Sequence, residues 1–258
     1  MQTNNSRMKF VSFFIVIVSF SCFAQKTTIF SIGDSTMADK VKPNENPEKG
    51  WCQVLPSFFD LNKVTIDNRA VNGRSTKSFI DEKRWESVYK ALKPGDYVFI
   101  QFGHNDEKVA DSSRYTNPHT AYRHNLIRFV TETREKGGIP ILFSSIARRN
   151  FNDKAVLIGT HGEYPLEARL VAQEYQVPFV DLEYYTEVLE QSYGVEQSKQ
   201  LHLHFLPGEH PYYPEGKEDN THLSLKGATA VAEIALSKIN LIQDSSLEVL
   251  KKAIKNKK

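Results

Sequence analysis

Four stretches of this chain carry residue types that can do acyl chemistry. The first is Gly33-Asp34-Ser35-Thr36. A glycine lets the chain leave a strand tightly, and Ser35 then falls where a helix is expected to begin. There its N–H would point outward and the helix dipole would favour negative charge, which suits a nucleophile whose reaction develops an oxyanion. The second is Asn72-Gly73-Arg74-Ser75, where a glycine lets the backbone approach a reacting oxygen and donate its N–H. The third is Gly103-His104-Asn105-Asp106, whose Asn105 amide could be a further oxyanion donor. The fourth is Asp219-Asn220-Thr221-His222, where a spacing of three in a turn can bring a carboxylate to one imidazole nitrogen and leave the other free as a base. Taken singly, each also reads as a helix cap or an ordinary turn.

The order of the four is more telling than any one of them. Gly-Asp-Ser, a glycine donor, Gly-x-Asn-Asp and a late Asp-x-x-His resemble the SGNH, or GDSL, hydrolase superfamily. The blocks Gly33–Ala38, Gly50-Trp51, Ala70–Ser75, Gly95–Val98, Phe102–Asp106 and Asp219-x-x-His222-Leu-Ser-x-x-Gly227-Ala228 are similar to the rhamnogalacturonan acetylesterase family within it. The resemblance implies a triad of Ser35, Asp219 and His222. It implies an oxyanion hole of the Ser35 and Gly73 N–H groups with Asn105, and removal of acetyl groups from pectic polysaccharide without metal or organic cofactor. Arg74 is a candidate for a uronate carboxylate, since a guanidinium offers a bidentate fork. His104 is a candidate for lining the pocket.

The elements that must position these residues follow from hydropathy. Five apolar runs, 27–32, 63–68, 97–102, 140–144 and 178–182, are nearly continuous, as expected for parallel strands buried on both faces. Helical spacing marks 165–175 and 225–239, and 120–136 reads as a helical segment with Gly137-Gly138 as its C-cap. The alternation predicts a three-layer α/β/α sandwich with a five-stranded parallel sheet, and the resemblance makes it flavodoxin-like. Residues 201–219, rich in His, Pro, Gly and Tyr, have no period and read as a long structured loop.

The N-terminus stands outside that domain. Arg7 and Lys9 precede an apolar run from Phe10 to Phe20, too short to span a bilayer comfortably, and Cys22-Phe23-Ala24 offers a cleavage site before Gln25. Residues 1–24 therefore read as a signal peptide and 25–258 as one domain, periplasmic or secreted, with no membrane association after cleavage and expected to be a monomer. Removing the leader takes Arg7 and Lys9 from the 33 basic residues and none of the 31 acidic ones, so the domain is near neutral. Five lysines crowd its last eight residues, a stretch read as a solvated, fraying helix end. No basic stripe runs across the fold, which argues against a nucleic-acid partner. Cys52 is the one cysteine left after cleavage and reads as packed in the core.

The reading is thus a secreted serine esterase acting on an acetylated plant cell-wall polysaccharide, with rhamnogalacturonan favoured. The alternatives are the same machinery on another acetylated glycan or on a lipid or thioester, and a non-catalytic carbohydrate-binding protein. A metal site from His202, His204 and His210 with Glu209 or Glu215 is disfavoured because no HExxH pattern accompanies it.

Overall fold

The computed structural model describes residues 26–255; the signal-peptide reading of residues 1–24 lies outside them. In chain order the strands and helices are β1 (Thr27–Gly33), β2 (Val64–Asn68), α1 (Thr76–Asp81), α2 (Arg84–Ala91), β3 (Tyr97–Gln101), α3 (Arg123–Glu135), β4 (Ile139–Phe143), α4 (Tyr164–Glu174), β5 (Phe179–Val180), α5 (Leu182–Gln197), β6 (His202–Phe205), β7 (Lys217–Leu223), α6 (Leu225–Leu241) and α7 (Glu248–Ala253). The first five strands form one parallel sheet in the order β2-β1-β3-β4-β5, the flavodoxin-like arrangement.

Both faces of that sheet are dry, which is why its strands read as unbroken apolar runs. Ile29, Val64, Phe99, Ile141 and Phe143 point to one side and pack with Trp51, α6 and α7. Phe30, Ile32, Val98, Ile100 and Leu142 point to the other and pack with α1 to α4, including Phe79, Trp85 and Phe129. Trp51 sits 5.3 Å from Phe143 edge-on. Truncating an aromatic so placed costs about 3–5 kcal/mol.

The chain from β1 crosses to β2 on one side, and the chain from β2 returns past β1 to β3. The carboxyl ends of β1 and β3 therefore flank a topological switch point, where open α/β sheets bind ligands. The register keeps these ends level: Ser31 pairs with Asn68, and Gly33 pairs with Gln101. Val71 N–H donates to Gly33 O at 3.0 Å, so the Gly73 turn lies just beyond the exit of β1.

Two sequence expectations change. Residues 201–219 are not an irregular loop throughout: β6 and β7 form a two-stranded antiparallel sheet with an aromatic cluster of Phe205, His210 and Tyr213 near its tip. The lysine-rich end does not fray within the described residues. Leu250 and Ala253 are buried, Ile254 bridges to Phe59, and Lys251 Nζ donates to Ile242 O at 2.6 Å. Among the described residues no helix is long and apolar enough to cross a membrane.

Candidate active site

Ser35 leaves β1 in a tight turn rather than at a helix N-terminus: Met37 and Ala38 N–H both donate to Asp34 O, and the chain then runs on without a helix. The helix dipole expected at Ser35 is therefore not available, and side chains fix the turn instead. Asp34 Oδ1 accepts from Thr36 N–H at 2.9 Å and from Thr36 Oγ1 at 2.8 Å. Gln101 Nε2 donates to Thr36 Oγ1 at 2.6 Å, and Trp51 Nε1 donates to Gln101 Oε1 at 2.8 Å. Gly33 is needed for space, not for dihedral freedom: a Cβ there would lie 2.3 Å from Met37 Sδ and 2.5 Å from Gln101 O. The packed turn leaves Ser35 only 9 % exposed.

His222 reaches Ser35 from β7 through a break in register. Leu223 pairs with His202 but Asp219 pairs with the very next residue, Leu203, so residues 220–222 loop out of the ladder. Asp219 holds that bulge as a turn. Its Oδ1 accepts from the N–H groups of Thr221 and His222, both at 2.9 Å, and its Oδ2 accepts from His222 Nδ1 at 2.9 Å. The carboxylate thus places the proton on Nδ1 and leaves Nε2 as an acceptor, 3.0 Å from Ser35 Oγ. Burial alone would raise the Asp219 carboxyl, but the bonds from the His222 ring and the two N–H groups hold it well below the usual carboxylate range. It stays ionised and can stabilise an imidazolium.

The turns that carry the three expected oxyanion donors adjoin one another, Val71 N–H donating to Gly33 O and Asn105 Nδ2 to Arg74 O. Among the described residues no acceptor lies on the N–H of Ser35 or of Gly73. Gly73 has φ +76°, a backbone state that L residues rarely adopt and glycine adopts freely. Asn105 Nδ2 gives one hydrogen to Arg74 O at 3.2 Å, while Oδ1 faces Arg114 Nη1 at 3.4 Å. This pairing orients the amide and leaves one N–H for a ligand. Buried Asp106 ties the second and third motifs together, accepting from Thr76 N–H at the start of α1 and from Thr116 Oγ1 at 2.8 Å. Burial pushes its carboxyl up to about 7 against those hydrogen bonds.

Of the two candidate substrate contacts, Arg74 stays beside the oxyanion turn with its guanidinium paired, and His104 is buried. Arg74 faces Glu82 through Nε and Nη2 at 3.0 Å and lines a cavity of about 540 Å³ with Gly73, Lys77 and Arg114. His104 is buried, with Nδ1 3.3 Å from Asp34 Oδ2 and its ring 4.5 Å from that of His161. Its place is behind the nucleophile turn rather than on the pocket wall. The candidate metal-ligating histidines also have separate partners: His202 Nε2 meets Glu190, His204 meets Asn220, and His210 lies tilted against Phe205. Among the described residues no group of three or more His, Cys, Asp or Glu is placed to hold a metal. Cys52 is buried, which pushes its thiol up and disfavours the reactive thiolate.

Supporting residues that the sequence reading missed now stand out. Arg114 orients Asn105. His202, wholly buried, contacts His222 O through Nδ1 at 3.2 Å and Glu190 Oε1 through Nε2 at 2.6 Å, so a second His–carboxylate pair braces the backbone of the first. The only hint in sequence was His202 beside Leu203 at the edge of the aperiodic stretch.

Comparison with known proteins identifies the family. Residues 31–230 match the GDSL-like lipase/acylhydrolase family. The rhamnogalacturonan acetylesterase RhgT of Bacillus subtilis (strain 168) is 43 % identical over 206 residues, covering 80 % of this chain and 86 % of that protein. The rhamnogalacturonan acetylesterase of Emericella nidulans is 27 % identical over 234 residues, covering 82 % of this chain and 84 % of that one. Among solved structures, the protein YXIM of Bacillus subtilis superposes with TM-score 0.72 at 24 % identity, covering 84 % of this chain and 56 % of that one, a likeness of fold.

Proposed function

Because the chain belongs to the GDSL-like lipase/acylhydrolase family and is a carboxylic ester hydrolase, we propose that it removes O-acetyl groups from a plant cell-wall polysaccharide, pectic rhamnogalacturonan, through an acetyl-enzyme on Ser35. The observation that carries the chemistry is the unbroken chain from Asp219 through His222 to Ser35, at 2.9 and 3.0 Å. The substrate rests on the relative that is 43 % identical and named for that activity.

The reaction follows from the geometry. Ser35 Oγ attacks the acetyl carbonyl carbon as its proton passes to His222 Nε2. The carbonyl oxygen takes up the electron pair and is met by Ser35 N–H, Gly73 N–H and the remaining Asn105 N–H. On collapse the sugar oxygen leaves with the proton from His222, and the acetyl group stays on Ser35. A water, deprotonated by His222, attacks the acetyl carbon. Acetate departs and Ser35 Oγ regains its proton. The residues fit this without a cofactor, and two cavities are the places proposed for the glycan chain: one of about 540 Å³ lined by the oxyanion donor Gly73 and by Arg74, and one of about 760 Å³ lined by Val41 and Tyr212. Tyr212 offers an aromatic face for a pyranose.

The N-terminal leader supports action outside the cytoplasm, in the periplasm or the medium, after cleavage before Gln25. The test is acetate release from acetylated rhamnogalacturonan, acetylated xylan and a long-chain lipid ester by wild type and Ser35→Ala. Acetate from the pectic substrate, abolished in the variant, is the expected result. Preference for xylan or lipid would overturn the substrate, and equal turnover by Ser35→Ala would overturn the nucleophile.

A further inference from the structure

Beneath the nucleophile turn lies a buried ammonium group that the chemistry above does not use. The Lys40 side chain is 1 % exposed. Its Nζ donates to Ser35 O at 2.5 Å and to Asn72 Oδ1 at 2.8 Å, and pairs with Glu48 Oε1 at 2.7 Å. A lysine ammonium has three N–H bonds, and here each has one acceptor.

The three acceptors come from three different parts of the site. Ser35 is the nucleophile itself. Asn72 immediately precedes the oxyanion donor Gly73. Glu48 belongs to a segment laced to the end of β7: it bridges to Ser224, and Lys49 N–H donates to Leu223 O at 2.9 Å. Those two partners directly follow His222. One cation therefore joins the nucleophile turn, an oxyanion turn and the strand that carries the base. Burying an ammonium is costly, and a methionine of similar length could fill the same space without that cost. Burial does pull the Lys40 pKa down, opposed by Glu48.

We propose that Lys40 is a positioning residue of the acyl-transfer site, setting the register of Ser35 against Gly73 and His222. It touches no reacting atom, so its effect is on kcat and not on KM. The proposal does not depend on which polysaccharide is the substrate, because it is read with a small ester, 4-nitrophenyl acetate. Lys40→Met is expected to lower kcat about 100-fold, the cost of a misplacement near 1 Å, with KM within about threefold of wild type. Asn72→Ala, which removes one of the three acceptors, is expected to stay folded with a melting temperature lower by several degrees, since it leaves one buried donor unmet, and to lower kcat about fivefold. In the double variant Asn72→Ala should add nothing, since its effect runs through Lys40. A Lys40→Met enzyme that keeps kcat within about twofold, a rise in KM at constant kcat, or effects that multiply in the double variant would each overturn the proposal. If Lys40→Met does not fold, Asn72→Ala decides alone. A folded variant with lowered kcat and unchanged KM supports the role, and wild-type kcat refutes it.

Discussion

Asp219→Asn separates what Asp219 does for structure from what it does for chemistry. In the native site Oδ1 accepts two backbone N–H bonds at 2.9 Å and Oδ2 accepts the His222 Nδ1 proton at 2.9 Å. Asparagine has one acceptor and one donor in the same space, so two orientations compete. With the amide oxygen on the backbone side, the turn survives and the NH₂ group faces Nδ1. That forces the imidazole proton to Nε2, which then donates toward Ser35 and can no longer accept its proton. With the amide reversed, the tautomer is kept, but the NH₂ group opposes the N–H bonds of Thr221 and His222. Leaving two such donors unmet costs about 1–3 kcal/mol each. The first orientation wins, so the variant folds with the base in the wrong tautomer. Elsewhere, a triad with geometry intact and the wrong tautomer loses ~10⁴ in kcat. That corresponds to about 5.4 kcal/mol of transition-state stabilisation. The assay is kcat/KM on 4-nitrophenyl acetate, beside a thermal melt and the nitrogen-15 spectrum of the imidazole. A folded Asp219→Asn enzyme within about tenfold of wild type would refute the assignment of Asp219 as the group that fixes the tautomer.

Other outcomes follow from single contacts. Asn105→Ala should lose about 10²–10³ in kcat with its melting temperature little changed, because it removes one oxyanion donor; a loss expressed in KM alone would contradict that role. Gly33→Ala should fail to accumulate as folded protein, because the new Cβ meets Met37 Sδ at 2.3 Å and backbone Gln101 O at 2.5 Å. Gly73→Ala should fold, since its Cβ would meet only Arg114 Nη1, at 3.6 Å, yet turn over slowly because φ +76° is strained for alanine; equal expression of both variants would show the space argument to be wrong. Burial lowers the His104 pKa from 6.5 to about 4, so between those values the unfolded chain binds a proton that the native one refuses. Stability therefore falls as pH drops through that window, by ~3 kcal/mol for this one group, and His104→Gln should flatten the fall. Urea midpoints at pH 7 and pH 4.5 test this, and parallel losses in both proteins would rule it out.

The five sheet strands were legible because burial on both faces leaves little room for polar residues, so each strand declares itself locally as an apolar run. The helices 165–175 and 225–239 were legible from their periodicity, and 120–136 from the glycine pair that follows it. Strands β6 and β7 were not. His202–Phe205 reads His-Leu-His-Phe, and its first histidine is buried only because Glu190 is brought beside it by α5. No local pattern announces a partner supplied by another element. The helix expected at Ser35 failed for a related reason. The turn is held by Thr36 and Gln101, the latter on β3, and with those bonds in place the nucleophile needs no helix behind it.

The same distinction separates the reacting residues from those that hold them. Acyl transfer dictates Ser35, His222, Asp219 and the oxyanion donors as chemical types in a fixed order, so sequence reveals them. Lys40, Asp106, Arg114, Glu190 and His202 are polar or charged groups whose composition alone says surface. Their importance comes from where the fold puts them. A buried polar group must be paired, and the pairs available here are the carbonyl of Ser35, the first N–H of α1, the amide of Asn105 and the carbonyl of His222. Lys40, Asp106, Arg114 and His202 are thus each bonded to a reacting residue or to the turn or helix beside one, and Glu190 acts through His202. Substitutions in this shell are therefore expected to act on turnover before they act on the fold.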